Sequence, residues 1–308
     1  KVYITMNIRN IFITIRYKIR YGSTVEWYNF WYLALRKKHG IVPQVASIGD
    51  TIRKIIDDRC SVSRLGDGEI LLTRPDKKLK FQTGNPLLAQ RLVEILASNE
   101  EGHIVCIPDT FSNLYRYIRK SRRFWRTHFF IYGSWWDRLL VPGRKYYNAF
   151  VTRPYMDFAD KENAGRWFHD MKQIWDDRNV VFIEGEKSRL GVGNDLFDNA
   201  RSIRRILCPS RNAFDRIDDI RQEACKQDKD VLFLIALGPT ATVLAYDLHK
   251  AGYQAIDAGH MDVEYEWWRM GTRKKVKLAR KYVNETAIGS EVSDAGEEYR
   301  EQIIARIV

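Results

Sequence analysis

Short apolar runs alternate with segments of helical periodicity along most of this sequence, and this alternation constrains the fold more than any other feature. Glycine, proline and polar residues bound the apolar runs, which is typical of buried strands. Continuous apolar strands separated by helices predict a mainly parallel sheet covered on both faces, in the α/β class. The predicted strands are Val62–Leu65, His103–Ile107, Tyr146–Val151, Val180–Glu184, Ile203–Cys208, Val231–Leu237 and Gln254–Asp257. The predicted helices are Ser47–Asp58, Pro86–Ser98, Thr110–Ser121, Lys161–Asp176, Leu196–Ala200, Asn212–Lys226 and Thr240–Ala251.

The chain has no internal repeat and no low-complexity linker, so one large domain with terminal extensions is the simplest organisation. We predict a basic, aromatic N-terminal extension over residues 1–45, the α/β domain over 46–285 and a helical tail over 286–308. No run approaches the roughly 20 apolar residues that span a bilayer, and no secretory signal is visible. Four scattered cysteines indicate reduced thiols. We therefore expect a cytoplasmic protein, with peripheral attachment to the inner face of the membrane as a further expectation.

The net charge of +12 is unevenly distributed. Residues 1–45 carry eight basic residues against one acidic residue, and further basic clusters occupy residues 116–126 and 273–281. Such patches attract nucleic acid, anionic lipid headgroups or diphosphates. One alternative function is therefore a noncatalytic protein that binds nucleic acid or an anionic membrane. General solubility charge is the other explanation of the patches.

The stretch SRLGDGEI follows and overlaps the first predicted strand. Its two glycines, Gly66 and Gly68, allow a tight turn, and Asp67 and Glu69 present two carboxylates across one glycine. Mg²⁺ and Mn²⁺ prefer oxygen ligands and are commonly bound by one or two carboxylates together with substrate phosphates. The D-x-E pair is therefore a candidate metal site, although Asp, Gly and Glu are also common in ordinary turns.

Two further glycine-containing stretches follow predicted strands, where ligands bind in parallel sheets. In EGEKSRLGVGND, Gly191 and Gly193 could expose backbone N–H groups to a phosphate, and an ordinary loop fits equally well. In ALGPTATVLAYDL, Gly238 precedes a proline and two threonines, Thr240 and Thr242, at the predicted start of a helix. A helix N-terminus binds anions. The full G-x-G-x-x-G is missing, which disfavours a Rossmann oxidoreductase or methyltransferase.

The run DAGHMDVEYEW places ionisable side chains at every second position. His260, Asp262, Glu264 and Glu266 would share one face of a strand, where the carboxylates would repel one another. We interpret the run as a metal, phosphate or proton-transfer site. The alternatives are a solvated strand end, and a chain that already turns into a helix and separates Glu264 from Glu266. The stretch VTRPY adds Arg153, which could face the same cleft or form a surface ion pair.

Taken together, SRLGDGEI, VTRPY, EGEKSRLGVGNDLFDNA, LGPTATVLAYDL and GYQAIDAGHMDVEYEW resemble the GT-D glycosyltransferases. This bacterial family was first described as a domain of unknown function and includes a glucosyltransferase of streptococcal adhesin glycosylation. The resemblance covers roughly residues 47–285 in the family's motif order. One departure is Leu65, where the family more usually has phenylalanine. The resemblance implies a single Rossmann-like domain that transfers a sugar, by analogy glucose, from a UDP-sugar.

The resemblance also implies roles for individual residues. Asp67 and Glu69 would hold Mn²⁺ or Mg²⁺, and the acceptor base would be Glu266 first and Glu264 second, with His260 near the diphosphate. The implied UDP-sugar contacts are Arg64, Gly66, Asp67, Gly68, Arg153, Arg189, Gly191, Gly193, Asn194, Gly238, Thr240, Thr242 and Asp262. The expected acceptor is a glycan, a glycoprotein or a lipid-linked sugar, and no nucleic acid is expected. The basic N-terminal arm would meet other glycosyltransferases or an anionic membrane.

Overall fold

The computed structural model describes residues 22–34, 40–281, 283 and 296–308. Its described part contains one parallel sheet of nine strands in the order β1-β4-β3-β2-β8-β7-β5-β6-β9. The strands are β1 Gln44–Val45, β2 Ser61–Arg64, β3 His103–Ile107, β4 Lys145–Asn148, β5 Asn179–Gly185, β6 Ser202–Cys208, β7 Leu232–Ala236, β8 Gln254–Asp257 and β9 Ile303–Arg306. The predicted α/β class with a mainly parallel sheet is confirmed.

Helices cover both faces of this sheet. They are α1, which includes residues 22–34, α2 Ile48–Asp58, α3 Asp67–Leu72, α4 Pro86–Ala97, α5 Arg119–Leu139, α6 Glu162–Lys172, α7 Ile217–Ala224, α8 Pro239–Lys250, α9 Met261–Arg269 and α10 Glu297–Glu301. Short 3-10 helices occupy Ala149–Thr152 and Ala213–Arg216. Within the described residues, no helix is both long and apolar enough to cross a membrane.

Alternate residues of the central strands enter two different cores. Along β5, Val180 and Phe182 join the larger core, whereas Val181 and Ile183 join the smaller one on the other face. Because side chains alternate across a strand, a strand buried on both faces must be apolar throughout. This is why the apolar runs of the sequence located the central strands correctly.

The chain leaves the sheet centre in two directions, and this creates a site. Strands β2, β3 and β4 follow one another outward on one side, whereas β5 and β6 lie on the other and β7 and β8 return to the centre. Strand β8 then pairs with β2 through Val62 and Ile256. A reversal of this kind opens a crevice at the carboxyl ends of parallel strands.

Some predicted elements were wrong. The segment 110–118 is not helical, and the helix that follows, α5, runs to Leu139. The charged cluster 116–126 obscured this helix, which buries Trp125, Phe129 and Trp136 on one face. The predicted helix Leu196–Ala200 is a series of turns.

The predicted helical tail over residues 286–308 is only partly correct. Residues 286–295 lie outside the described residues, and Glu297–Glu301 is helical. The chain then forms β9, which pairs with β6 at the edge of the sheet. Strand β9 is only partly buried, with intermediate and exposed residues alternating along it, because it lies at the edge of the sheet.

Candidate active site

A cleft of about 880 Å³ opens at the carboxyl ends of the strands. Its wall includes Arg64 at the end of β2, Ala149 after β4, Gly185 at the end of β5 and Ala236 at the end of β7. Cavities that bind small molecules commonly have volumes of about 300–1,000 Å³. The cleft therefore has the position and the size of a ligand site.

The D-x-E pair lies in the first turn of α3, on the wall of this cleft. Glu69 Oε2 accepts a hydrogen bond from the backbone N–H of Gly66 at 2.8 Å, which fixes the carboxyl group beside the end of β2. Asp67 and Gly68 line the cleft next to it. Burial, followed by the nearby carboxylate of Asp257, raises the pKa of Glu69 to about 7. A cation bound at this position would stabilise the ionised form of Glu69.

Arg64 braces the site through Asp257. Its Nη2 donates to Asp257 Oδ1 at 2.8 Å, and its Nε donates to the carbonyl of Asp257 at 2.9 Å. The guanidinium group lies so close to Gly259 that a Cβ there would be 1.9 Å from Nη2. Asp257 also accepts a hydrogen bond from the hydroxyl of Thr242 at 3.2 Å. Asp257 is therefore a buried partner of Arg64, and only part of Arg64 faces the cleft.

Helix α8 begins at the cleft with Gly238. This residue has φ +56°, and a Cβ would lie 2.5 Å from the ring of Phe81, so the tight turn and the close contact both require glycine. Gly238 lines the cleft, whereas Thr240 and Thr242 are fully buried and lie outside its described wall. The prediction that Thr240 and Thr242 contact the UDP-sugar is untested, and their burial does not favour it.

The loop after β5 contributes residues other than its glycines. Lys187 and Ser188 line the cleft, but Gly191 and Gly193 do not. Both glycines have positive φ angles, and a Cβ on Gly191 would lie 2.9 Å from the ring of Phe197. These glycines therefore form a tight turn. Arg189 also points away from the cleft wall, because its Nη1 donates to the carbonyl of Arg280 at 3.2 Å.

Arg153 and His260 meet in the wall of the cleft. Arg153 Nη2 lies 2.9 Å from His260 Nδ1. A guanidinium group can only donate, so Nδ1 is the acceptor and the ring hydrogen of neutral His260 is on Nε2. The pair thus combines a fixed positive charge with a ring N–H, and both groups suit a phosphate oxygen.

Helix α9 separates the four ionisable residues that a strand would have placed on one face. Asp262 lines the cleft. Glu264 is fully buried, and its Oε2 accepts hydrogen bonds from the backbone N–H groups of Tyr155 at 3.2 Å and Met156 at 2.8 Å. Glu266 lies outside the described wall of the cleft. The helical alternative of the sequence analysis is therefore correct for this run.

Glu264 has an unusual electrostatic environment. Burial raises its pKa to about 7, and the positive charge of Arg153 offsets only part of this effect. Its two backbone contacts hold the segment that carries Arg153. From the other side, Lys161 Nζ donates to the carbonyl of Tyr155 at 2.7 Å. Glu264 thus positions Arg153, and its predicted role as a base would require it to leave this buried position.

Residues 273–281, which we call the strap, lie beside α9. The buried Lys281 donates from Nζ to Asp262 Oδ1 at 2.7 Å and to Glu266 Oε1 at 3.3 Å. Asn194 Nδ2 donates to the same two oxygens, at 2.7 and 2.9 Å. The indole N–H of Trp267 donates to the carbonyl of Val276 at 3.0 Å. These contacts anchor the strap.

The anchored strap brings positive charge to the cleft. Its first residues, Arg273, Lys274 and Lys275, line the wall. This basic cluster was evident in the sequence, but its place at the site was not. The same anchoring explains the positions of Asn194 and Glu266, which join the strap to α9 rather than facing the cleft.

Comparison with known proteins identifies the fold. Residues 62–286 match the family described as the glycosyltransferase GT-D fold. The chain belongs to the GT-D glycosyltransferase family. This confirms the resemblance that was evident in the sequence motifs.

Two curated streptococcal relatives show similar identity to this GT-D chain. Glycosyltransferase GlyD of Streptococcus pneumoniae serotype 4 is 40% identical over 267 residues, which are 86% of this chain and 33% of GlyD. The probable glycosyl transferase Gly of Streptococcus gordonii is 39% identical over 266 residues, which are 85% of this chain and 39% of Gly. The chain thus spans between about a third and two fifths of the length of these relatives. It carries a glycosyltransferase domain.

Solved structures agree with this assignment. A structure described as a new glycosyltransferase, DUF1792, from Streptococcus sanguinis superposes with a TM-score of 0.82 at 39% identity, covering 86% of this chain and all of that one. Another, described as domain of unknown function 1792 with a distinct glycosyltransferase fold, also has a TM-score of 0.82 at 39% identity. It covers 93% of this chain and 99% of its own.

Two carboxylates of this GT-D chain are candidate ligands for a divalent cation. In the described part of the chain, no group of three or more His, Cys, Asp or Glu side chains is placed to hold a metal ion. Asp67 and Glu69 nevertheless offer hard oxygen ligands in one helical turn on the cleft wall. A metal held there would complete its coordination with phosphate oxygens and water, as Mg²⁺ commonly does.

The sequence analysis missed a second side of the cleft. Phe124, Trp125 and Ser121 from α5 line it together with Asp157. Asp157 Oδ1 accepts a hydrogen bond from the Ser121 hydroxyl at 2.7 Å, and Lys275 Nζ lies 4.0 Å away. No sequence signal brought these residues to the site, because they lie in α5 and in the loop after β4 and meet only in the folded chain.

Proposed function

We propose that this GT-D protein is a metal-dependent hexosyltransferase that moves glucose from UDP-glucose to a glycan or glycoprotein acceptor. The observation that supports this proposal is one cleft that combines the Asp67–Glu69 carboxylate pair with a set of basic side chains. The described basic side chains on its wall are Arg64, Lys120, Arg153, Lys187, Arg273, Lys274 and Lys275. A nucleoside diphosphate sugar needs both features, because its diphosphate is anionic and its leaving group gains charge during transfer.

The donor diphosphate would lie between the loop after β5 and the start of α8. Lys187, Arg153 and the strap residue Arg273 supply positive charge there, and His260 supplies its Nε2 hydrogen. The N-terminus of α8 at Gly238 adds the positive end of the helix dipole. These groups stabilise the negative charge that develops on UDP as the sugar leaves.

Mn²⁺ or Mg²⁺ bound by Asp67 and Glu69 would neutralise further charge on the departing diphosphate. The chain's own contribution is to present the two carboxylates at a fixed place. Gly66 holds Glu69 through the backbone hydrogen bond, and α3 carries Asp67 two residues away. Binding of a cation would also offset the energetic cost of ionising the buried Glu69 carboxyl group.

The acceptor hydroxyl needs a carboxylate that removes its proton. The sequence analysis named Glu266 and then Glu264, but Glu266 contacts Lys281 and Glu264 is fully buried. Asp157 lines the cleft beside the α5 aromatic residues, with its Oδ1 accepting a hydrogen bond from the Ser121 hydroxyl. We therefore rank Asp157 ahead of Glu266 as the base.

Transfer assays test the function directly. With Mn²⁺, a panel of UDP-sugars should give sugar transfer or slow donor hydrolysis that a chelator abolishes, with UDP-glucose the best donor. Asp67→Ala should reduce the rate by at least about 100-fold, because it removes a charge-stabilising group. Asp76→Ala is the matched control, since Asp76 is an exposed carboxylate that pairs with Lys77. The proposal fails if no UDP-sugar binds and Asp67→Ala behaves like the control.

A comparison of three variants tests the base. Asp157→Asn, Glu264→Gln and Glu266→Gln should all bind UDP, but only the variant of the true base should lose transfer by about 10²–10⁴-fold. We expect that variant to be Asp157→Asn. Full transfer by Asp157→Asn with loss in Glu266→Gln would return the role to Glu266.

Family membership favours catalysis over the noncatalytic alternative of the sequence analysis. That alternative predicts binding of nucleic acid with a steep dependence on salt and no effect of Asp67→Ala. The same Asp67→Ala preparation, assayed for both transfer and DNA binding, separates the two functions.

A further inference from the structure

Helix α1 is seated on α5, away from the sheet. Asn29 Nδ2 donates to the carbonyl of Arg123 at 3.0 Å and to the hydroxyl of Thr127 at 2.9 Å. The rings of Tyr28 and Phe130 lie 5.2 Å apart between their centroids. These contacts fix the face of α1 that points toward α5, and thereby the face that points outward.

The outward side of α1 carries large apolar side chains. Trp27, Phe30 and Leu33 are 59%, 60% and 54% exposed. Their spacing of three residues places them along one stripe of the helix. Single exposed apolar residues are common on proteins, but a stripe of this kind indicates a surface that contacts an apolar partner.

A groove with arginines lies directly beside this stripe. It has a volume of about 330 Å³, and Phe30 and Leu33 form one side of it. Its described basic residues come from α5 and are Arg119, Arg122, Arg123 and Arg126. Glu26 is the one acidic residue in this described lining, and it pairs with Arg123. Like charges three and four residues apart on one helix repel each other, so a bound anion would stabilise the cluster.

The chain that precedes α1 has the same character. Residues 1–21 contain five basic residues, no acidic residue and many isoleucines and aromatic residues. Their structure lies outside the described residues, but their composition continues the combination of charge and apolar side chains up to the start of α1. Two other residues of α5, Lys120 and Phe124, line the active-site cleft. Helix α5 therefore contributes to both the groove and the cleft.

We propose that the α1–α5 surface, formed by Trp27, Phe30, Leu33, Arg119, Arg122 and Arg126, docks on an anionic phospholipid bilayer. The arginines contact lipid phosphates, and the apolar stripe enters the boundary between headgroups and acyl chains. A surface with both features binds membranes through burial of its apolar side chains and through electrostatic attraction to anionic lipids. Docking in this orientation turns the α5 side of the cleft toward the membrane.

Nucleic acid fits these observations less well. A polyanion needs a track of cations and gains little from three exposed apolar side chains on a neighbouring helix. A bilayer uses both the arginines and the apolar stripe. The lipid assignment therefore accounts for every residue of the surface.

Sedimentation with vesicles tests the proposal on the full chain. The protein should bind vesicles of equal parts phosphatidylglycerol and phosphatidylcholine, bind pure phosphatidylcholine weakly, and dissociate as salt rises. The triple variant Arg119→Glu, Arg122→Glu and Arg126→Glu should bind at least about 100-fold more weakly, because each lost cation costs roughly fivefold near an anionic surface and the new carboxylates add repulsion. A second triple variant, Trp27→Ser, Phe30→Ser and Leu33→Ser, should weaken binding through the apolar term alone and keep the salt dependence.

The matched control reverses the same number of charges elsewhere. Arg216→Glu, Arg221→Glu and Lys226→Glu change exposed residues around α7 and should leave vesicle binding within about threefold, because distant exposed charges are largely screened. Urea unfolding checks that every variant is folded. If the arginine variant does not fold, the apolar variant and the salt titration of the wild type carry the test.

Several results would overturn the proposal. Equal binding to neutral and anionic vesicles would exclude the role of the arginines. If the α7 control weakened binding as much as the α5 variant, binding would depend on net charge and not on this surface. Tighter binding to DNA than to vesicles, lost in the α5 variant, would assign the surface to nucleic acid. Displacement from vesicles by low inorganic phosphate would indicate a site for free phosphate. The vesicle experiment and the transfer assay are independent, so failure of the docking proposal would not count against the proposed function.

Discussion

The substitution Glu264→Gln gives a quantitative test of how this carboxyl group is held. Glu264 is fully buried, and in the described structure its Oε1 has no hydrogen-bond partner. Burial raises its pKa from the model-compound value of 4.5 to about 7. The ionised carboxylate therefore destabilises the folded state relative to the unfolded chain.

The sign of the pH dependence follows from this direction. Below about pH 4.5 the group is protonated in both states and has no effect on the free energy of unfolding. As the pH rises from about 4.5 to about 7, the side chain ionises in the unfolded chain but stays protonated in the folded one, so the wild type loses stability. The full difference is roughly 3–4 kcal/mol, because the pKa rises from 4.5 to about 7 and each pKa unit corresponds to about 1.4 kcal/mol. Glutamine cannot ionise, so Glu264→Gln lacks this loss.

Urea unfolding of both proteins at several pH values measures the effect. The free energy of unfolding of Glu264→Gln, minus that of the wild type, should increase by roughly 2–3 kcal/mol between pH 5 and pH 8. Any constant offset from the altered hydrogen bonding cancels in this change. Glu162→Gln on α6 is the control, because Glu162 is exposed and its difference should not vary with pH. A difference that does not change with pH for Glu264→Gln would refute our account of a buried carboxyl group whose charge is only partly compensated.

Two further substitutions test contacts that support the site. Arg205→Leu leaves the buried Glu184 without its ion-pair partner at 2.6 Å and should lower the free energy of unfolding by about 3–5 kcal/mol, as measured in urea. An unchanged free energy of unfolding would show that the Arg205–Glu184 ion pair does not support the fold. Gly259→Ala introduces a Cβ 1.9 Å from Arg64 Nη2 and should weaken UDP binding as well as stability, whereas Gly252→Ala has a similar positive φ but no neighbour within 4 Å and should cost only about 1–2 kcal/mol of stability. Equal UDP affinity in the two alanine variants, measured by calorimetry, would contradict the bracing role of Arg64.

The sequence predicted the sheet and its ligand-binding edge because their signals are local. A strand buried on both faces must be apolar throughout, so runs such as Val231–Leu237 and Gln254–Asp257 were evident without any knowledge of their partners. The D-x-E pair is likewise contained within three residues. Edge strands β1 and β9 were missed, because two or four partly exposed residues carry no such pattern.

Only the tertiary structure decided which ionisable residues of DAGHMDVEYEW face the cleft. The alternating sequence fits a strand, yet α9 forms because Met261, Val263 and Trp267 bury its inner side. Asp262 then reaches the cleft, Glu264 meets the backbone of Tyr155, and Glu266 meets Lys281.

The sequence by itself therefore determined the fold family, the edge of the sheet at which the cleft opens and the candidate metal-binding pair. The tertiary structure decided which charges meet. Glu264 and Tyr155 are 109 residues apart in the chain, and Arg64 and Asp257 are 193 apart. Contacts over such separations depend on how helices and loops pack across the whole sheet, and no local pattern of residues encodes them. For this reason the sequence named Glu266 and Glu264 as bases, whereas the folded chain presents Asp157 at the cleft.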